Sequence, residues 1–214
     1  MHAVEVSPWW VRVLRVGFAA LGVAALIAGP IYESRSPGYS MANHFSYFTI
    51  QSNALAALVL LVGGLVDPGG RRWQVLRCAA TMYLVITGIV YAVLLAHLGI
   101  GDEPPWINDV LHRVQPVVMV VDWVLVPAGL AVTGWLVAGL LVYPVLYGIY
   151  TLGRGPIVDW YPYPFIDPRN QGYVSMAIGL VELVIGFALL AVAIVALGQL
   201  CGRWRGSTYD HVLR

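Results

Sequence analysis

Six stretches of mostly apolar residues, near positions 12–32, 43–66, 74–98, 106–126, 131–151 and 173–200, dominate this chain. Each is close to the ~20 residues an apolar helix needs to cross the hydrocarbon core of a bilayer. Lipid offers a bare backbone no hydrogen-bond partner, so such segments must be helices that satisfy their own backbones. The separators carry breaker chemistry: Ser36-Pro37-Gly38, Asp67-Pro68-Gly69-Gly70, Glu103-Pro104-Pro105 and Tyr161-Pro162-Tyr163-Pro164. The expected fold is therefore all-α, one polytopic transmembrane bundle of about six helices over residues 1–214. The tightest expected connection is Pro127 to Gly134.

Composition agrees, since 59% of the residues are hydrophobic and only 11% charged, far from the roughly 25% charged of soluble domains. A net charge of +1, without a clustered basic surface, argues against a nucleic-acid partner. Every basic residue is Arg, alongside much Ala, Gly and Val, which points to a GC-rich and hence bacterial source. The first apolar run is long enough to span and lacks a convincing cleavage site, so no cleavable signal peptide is expected.

Arg12, Arg15, Arg71, Arg72, Arg77, Arg203, Arg205 and Arg214 fall on one side of the expected spans, and Arg35, Arg154 and Arg169 on the other. The positive-inside rule then makes both termini cytoplasmic, in a multi-pass protein of the cell membrane. The opposite, outer side collects Glu33, Asp102, Glu103, Asp159 and Asp167. Trp9, Trp10, Trp73, Trp106, Trp160 and Trp204 lie at span ends, where indole rings anchor at the headgroup level. Cys78 and Cys201 both fall toward the cytoplasmic side, where a disulfide is not expected.

Polar groups inside a span are costly and each calls for a partner or a purpose. The second span carries His44, Ser46, Thr49, Gln51, Ser52 and Asn53; the fourth carries Asn108, Asp109, His112, Arg113, Gln115 and Asp122. Thr49 and His112 each lie about six residues inside their spans, so at ~1.5 Å per residue both sit roughly 9 Å below the outer boundary. Ser46, Thr49 and Asn53 share one helical stripe, and Asn108, His112, Gln115 and Asp122 another. An imidazole beside a hydroxyl is the commonest device for making that hydroxyl a nucleophile. Asn53, Asn108 or Gln115 would orient the histidine or donate to an oxyanion. On residues alone, the other reading is that these side chains glue helices together.

The run Tyr47-Phe48-Thr49, the segment Trp106-Ile107-Asn108 through His112, Asp122, and Tyr163-Pro164-Phe165 with Asp167 resemble the androgen-induced membrane hydrolase family. That family includes the androgen-dependent TFPI-regulating protein; its bacterial six-span members are more similar still. The resemblance covers about residues 40–170 and keeps the order of the motifs. It implies an intramembrane threonine hydrolase acting on fatty acid esters of hydroxy fatty acids or similar lipids, with Thr49 as nucleophile and His112 as its assistant. The animal pattern has a histidine where this chain has Asp109 and a glutamate where it has Asp122; the first departure bears on substrate range rather than chemistry.

Other residues have plainer expected roles. Asp109 and Arg113 are four apart with the acid first, the favourable order for an ion pair, although Arg113 would also suit a fatty-acid carboxylate. Glu182 is a second potential partner for Arg113. Asp122 lies ~15 Å along the helix from His112 and is expected to anchor a helix contact. His44 and His97 are expected at the interface, Tyr83, Thr87 and Tyr91 in the core, and Tyr161, Tyr163 and Phe165 as a lid. Membrane lipids and a lipid ester are the expected partners, homo-oligomerisation is left open, and no cofactor or metal is expected. A transporter or lipid-binding protein is the rival function; a haem or quinone protein using His44, His97 and His112 is the third.

Overall fold

The computed structural model describes residues 7–98 and 104–212, with side chains to Trp204. Asp102, Glu103, Arg214 and the Arg205 side chain, all used in the orientation argument, lie outside the described residues. Helices run over α1 (Trp9–Glu33), α2 (Met41–His44), α3 (Phe48–Leu65), α4 (Arg71–Val90), α5 (Pro105–Asp109), α6 (Gln115–Leu125), α7 (Gly134–Val158) and α8 (Pro168–Val212). Among the described residues there is no strand, and the protein is an all-α polytopic bundle.

Five helical runs are long and apolar enough to cross a membrane: α1, α3, Arg71–Leu95, α7, and Pro168–Trp204. The remaining expected crossing, the fourth in chain order, is helical from Pro105 to Leu125, about 30 Å at 1.5 Å per residue, but it is segmented. Its middle, Val110–Val114, is a π-helical turn. A second π stretch, Tyr91–Leu95, extends α4. The expected second span also changes shape. It breaks after α2 and restarts at Phe48, because Ser46 bonds back to the Ala42 carbonyl and Tyr147 takes the Ser46 carbonyl. α8 bends at Gly172, whose φ of 78° favours a residue without Cβ.

α3 and α4 are the most buried spans, while α1, α7 and α8 lie at the periphery. α1 packs most extensively on α3, largely through small residues: Ala19 clusters with Ala56, Gly22 lies against Ala57, Ala25 packs with Ile50, and Gly64 faces Val16. Arg12 caps the end of α3 by donating to the carbonyls of Gly64 (2.9 Å) and Leu65 (2.6 Å), groups with no partner inside the helix. A Cβ at Gly64 would lie 2.6 Å from the Val16 methyl and 2.8 Å from the Arg12 carbonyl oxygen. Gly64→Ala is therefore expected to force α1 off α3 and cost about 1–3 kcal/mol, whereas Gly17→Ala, with nothing within 4 Å, should not. Unfolding midpoints in detergent would check the pair.

Arg15 and Arg77, counted above among the arginines of the cytoplasmic side, are buried, only 3% and 2% exposed. Asp122 lies between them, 2.5 Å from Arg15 Nε and 2.7 Å from Arg77 Nη2. Arg15 also reaches Asp67 at 2.8 Å, and Asp67 accepts from the Ser7 amide and hydroxyl. Burial raises the Asp67 carboxyl, but the hydrogen bonds from Ser7 and Arg15 outweigh it and hold it below its ordinary value. Asp122 thus ties α1, α4 and α6 together, as a helix anchor should. Trp123 beside it is fully buried and donates to the Ile194 carbonyl of α8 at 2.8 Å. Cys78 and Cys201 are unbridged.

Candidate active site

The break before Phe48 places Thr49 in the first turn of α3, not deep within a span. N–H groups there have no acceptor inside the helix. Two tyrosine hydroxyls supply acceptors: Tyr147 takes the Phe48 N–H (3.2 Å) and Tyr163 the Thr49 N–H (3.3 Å). The positive end of the α3 dipole therefore points at Thr49, where it favours developing negative charge.

Across from Thr49 stands the π turn of Val110–Val114. Pro116 follows it and, lacking an N–H, leaves the His112 carbonyl without its usual helical donor. Such a turn widens the helix and re-aims its side chains, and π turns are frequent at functional sites. His112 Nδ1 lies 3.2 Å from the Asn108 carbonyl and so carries the proton; Nε2, left with its lone pair, faces Thr49 Oγ1 at 3.4 Å. Tyr91, from the other π stretch, stacks on the imidazole with ring centroids 4.2 Å apart, and the Asn108 amide donates to its hydroxyl at 2.5 Å. The histidine is held in plane, tautomer and direction.

Tyr163 completes the group. Its hydroxyl is 3.4 Å from Thr49 Oγ1, and its ring stacks on Phe165 at 5.1 Å. Comparison with protein-family models, curated proteins and solved structures found no match.

Two cavities meet here. One, of about 250 Å³, is almost wholly apolar and lies among Phe48, Ile86, Leu141, Leu180, Val184 and Phe187. The other, of about 540 Å³, is a vestibule of mixed lining, where Glu33, Tyr39, Asn43, His44, Asn108 and His112 stand among apolar residues such as Ile50 and Leu111. Thr49, Leu95 and Tyr163 line both.

The other expected site residues scatter. Asn108 orients His112, but through its backbone carbonyl. Asn53 donates to the carbonyls of Thr49 (2.9 Å) and Leu111 (3.1 Å), so it clamps α3 to the π turn without a hydrogen bond to the Thr49 hydroxyl or the His112 ring. Ser46 bonds Ala42 and Tyr150, outside α3, and does not share a helical stripe with Thr49. Gln115 donates to the Phe18 carbonyl of α1, on a different face from His112. Arg113 is exposed, pairs with Asp109 and lines neither cavity. Glu182 is exposed on α8 and does not meet Arg113. His97 is exposed as expected, but His44 is 3% exposed and paired with Glu33 at 2.7 Å, because α2 folds it inward.

Tyr91 and Tyr163 were legible only as core and lid, and Tyr147 was not singled out at all. Its spacing from Tyr143 and Tyr150 on one helix was the available signal. Among the described residues no three His, Cys, Asp or Glu side chains converge as a metal site needs.

Proposed function

We propose that this chain is an intramembrane lipid ester hydrolase, of the kind its resemblance to the androgen-induced membrane hydrolase family implies. The observation that carries the proposal is the contact between Thr49 Oγ1 and His112 Nε2, 3.4 Å apart, with the imidazole's other nitrogen held by the Asn108 carbonyl. Hydrogen bonds between catalytic groups are often this long without substrate.

Thr49 Oγ attacks the ester carbonyl carbon while its proton passes to His112 Nε2. The tetrahedral oxyanion collapses, the bond to the alcohol oxygen breaks, and His112 returns the proton to the departing alcohol. Water, deprotonated by the same nitrogen, then attacks the acyl-threonine, and His112 protonates Oγ as the fatty acid leaves. Tyr163 is the hydroxyl donor beside this centre. Its proton is free to turn from Thr49 toward the oxyanion, and the α3 dipole acts in the same direction. With both termini cytoplasmic in a bacterial plasma membrane, the vestibule opens outward and the lipid comes from the outer leaflet.

A fluorophosphonate probe of the serine-hydrolase type is expected to label the purified protein, and Thr49→Ala to abolish labelling. Labelling that persists in Thr49→Ala would falsify the nucleophile assignment. Tyr163→Phe should lower ester turnover by about 10²–10³-fold, the usual effect of removing an oxyanion donor, while leaving KM nearly unchanged; steady-state kinetics on a chromogenic acyl ester would read both. Lipid binding without chemistry is the second reading, favoured by the joined cavities. A lipid retained through purification, with no probe labelling, would select it.

A further inference from the structure

The two cavities differ so sharply in chemistry that they divide a substrate between them, and the division points to what the ester must be. We propose that the apolar cavity takes one acyl chain and the vestibule takes the alcohol half as a small, uncharged, hydroxyl-bearing group, so that the substrate class is single-chain acyl esters of a polyol. The proposal rests on the hydrolase reading for turnover, but its binding half does not.

The apolar side sets the number of chains. At about 250 Å³ the cavity is below the ~300–1,000 Å³ of pockets that enclose drug-sized ligands, and suits one chain rather than two. It lies between α7 and α8, and its rim residues Val145, Ile149 and Val184 are exposed on the lipid-facing periphery. Pro144 and Gly148 of α7 line it beside the bulkier Leu141, Tyr147 and Leu152. Pro144 also frees the Leu140 carbonyl, which accepts from the Tyr83 hydroxyl at 2.9 Å instead.

The vestibule sets the charge of the other half. A carboxylate or phosphate taken out of water needs N–H donors from a cation, usually a guanidinium fork. No Arg lines the vestibule, whereas Glu33 does and opposes an anion. Arg154 stands behind the wall and is committed to the Asn43 side-chain oxygen at 2.6 Å. A quaternary ammonium would seek the open faces of aromatic rings. Of the five tyrosine and tryptophan rings that line it, Tyr91 has Arg113 over it at 5.7 Å and Trp160 has Arg154 at 5.5 Å, Tyr47 meets Trp160 and Tyr163 edge-on, and Tyr163 stacks on Phe165, so Tyr39 alone is left without a cation or such a partner, and one ring does not make a cage. What remains is a set of uncharged donors and acceptors, Tyr39, Ser40 and Asn43, beside the Glu33–His44 pair. His44 is buried and its Nε2 has no hydrogen-bond partner. Hydroxyl groups, each donor and acceptor at once, match such a lining.

The test uses the full chain in lipid nanodiscs and four esters that share an oleoyl group: monooleoylglycerol, dioleoylglycerol, oleoyl-lysophosphatidylcholine, and an oleoyl ester of a hydroxy fatty acid with a free carboxylate. Monooleoylglycerol is expected to show a kcat/KM at least about tenfold above each of the others. Glu33→Gln should narrow the gap to the carboxylate ester specifically. Binding to Thr49→Ala protein, which lacks the hydroxyl that would be acylated and trims the lining of both cavities by that one side chain, is measured separately and should rank the esters in the same order. Thr49-dependent turnover that prefers the carboxylate or choline ester overturns this inference and leaves the hydrolase reading intact. Selective binding of monooleoylglycerol without turnover by the unsubstituted protein does the reverse. Equal binding of all four overturns the inference outright.

Discussion

Changing His112 to alanine is expected to lower ester turnover by about two to four orders of magnitude, the usual worth of a positioned general base. The expectation follows from how completely the ring is held. The Asn108 carbonyl fixes the tautomer, Tyr91 fixes the plane, and Nε2 is left facing the Thr49 hydroxyl. Loss of folding would give a similar number, so a second readout is needed. Without an internal base, attack depends on hydroxide, and the residual rate of His112→Ala should climb steadily with pH where that of the unsubstituted protein levels off. Asn108→Ala should do far less, because its backbone carbonyl survives the change. If His112→Ala leaves turnover unaffected, or if its rate profile merely scales down without changing shape, the histidine is not the base.

That expectation also shows which parts of the molecule a sequence discloses. The spans are legible because lipid is a uniform solvent: a long apolar run has few options besides a helix, and α1 (Trp9–Glu33) covers one expected stretch while α7 (Gly134–Val158) overlaps most of another and runs past its end. Thr49 and His112 stood out for the converse reason, since polar groups in such a run demand partners. Their depths were argued from an uninterrupted second span, yet α3 starts only at Phe48. Beside the local bond from Ser46 to the Ala42 carbonyl, Tyr147 reaches the Ser46 carbonyl from a hundred residues away in sequence, and no local pattern encodes that contact. Both π turns are of the same kind. Their extra residue lets Tyr91 and His112 stack, a tertiary contact invisible to periodicity. Tyr163 looked like a lid because an aromatic in a proline-rich loop has no assigned depth until the loop folds in.

Asp122→Asn is expected to destabilise the folded protein by about 3–5 kcal/mol, the range for breaking a buried ion pair by removing one partner. The substitution keeps the side chain's volume and removes its charge, so it isolates the electrostatic contribution. Arg15 and Arg77, 3% and 2% exposed, would then share only Asp67 as a counter-charge, and Asp67 touches Arg15 alone. Arg77 would be left with Gln74 and the carbonyls of Asp122 and Val126, neutral acceptors for a full positive charge. Asp122→Glu should retain most of the stability, because the charge persists at a longer reach. Denaturation midpoints in detergent, compared across the three proteins, measure the effect; an Asn variant within about 0.5 kcal/mol of the parent would show that the network tolerates an unbalanced charge. Catalysis supplies the complementary check. Asp122 lies ten residues along the same helical run from His112, about 15 Å away. Turnover per folded molecule should therefore stay unchanged in Asp122→Asn even as the folded fraction falls. That separation is what distinguishes a charge cluster that joins α1, α4 and α6 from the Thr49–His112 pair proposed to act on substrate.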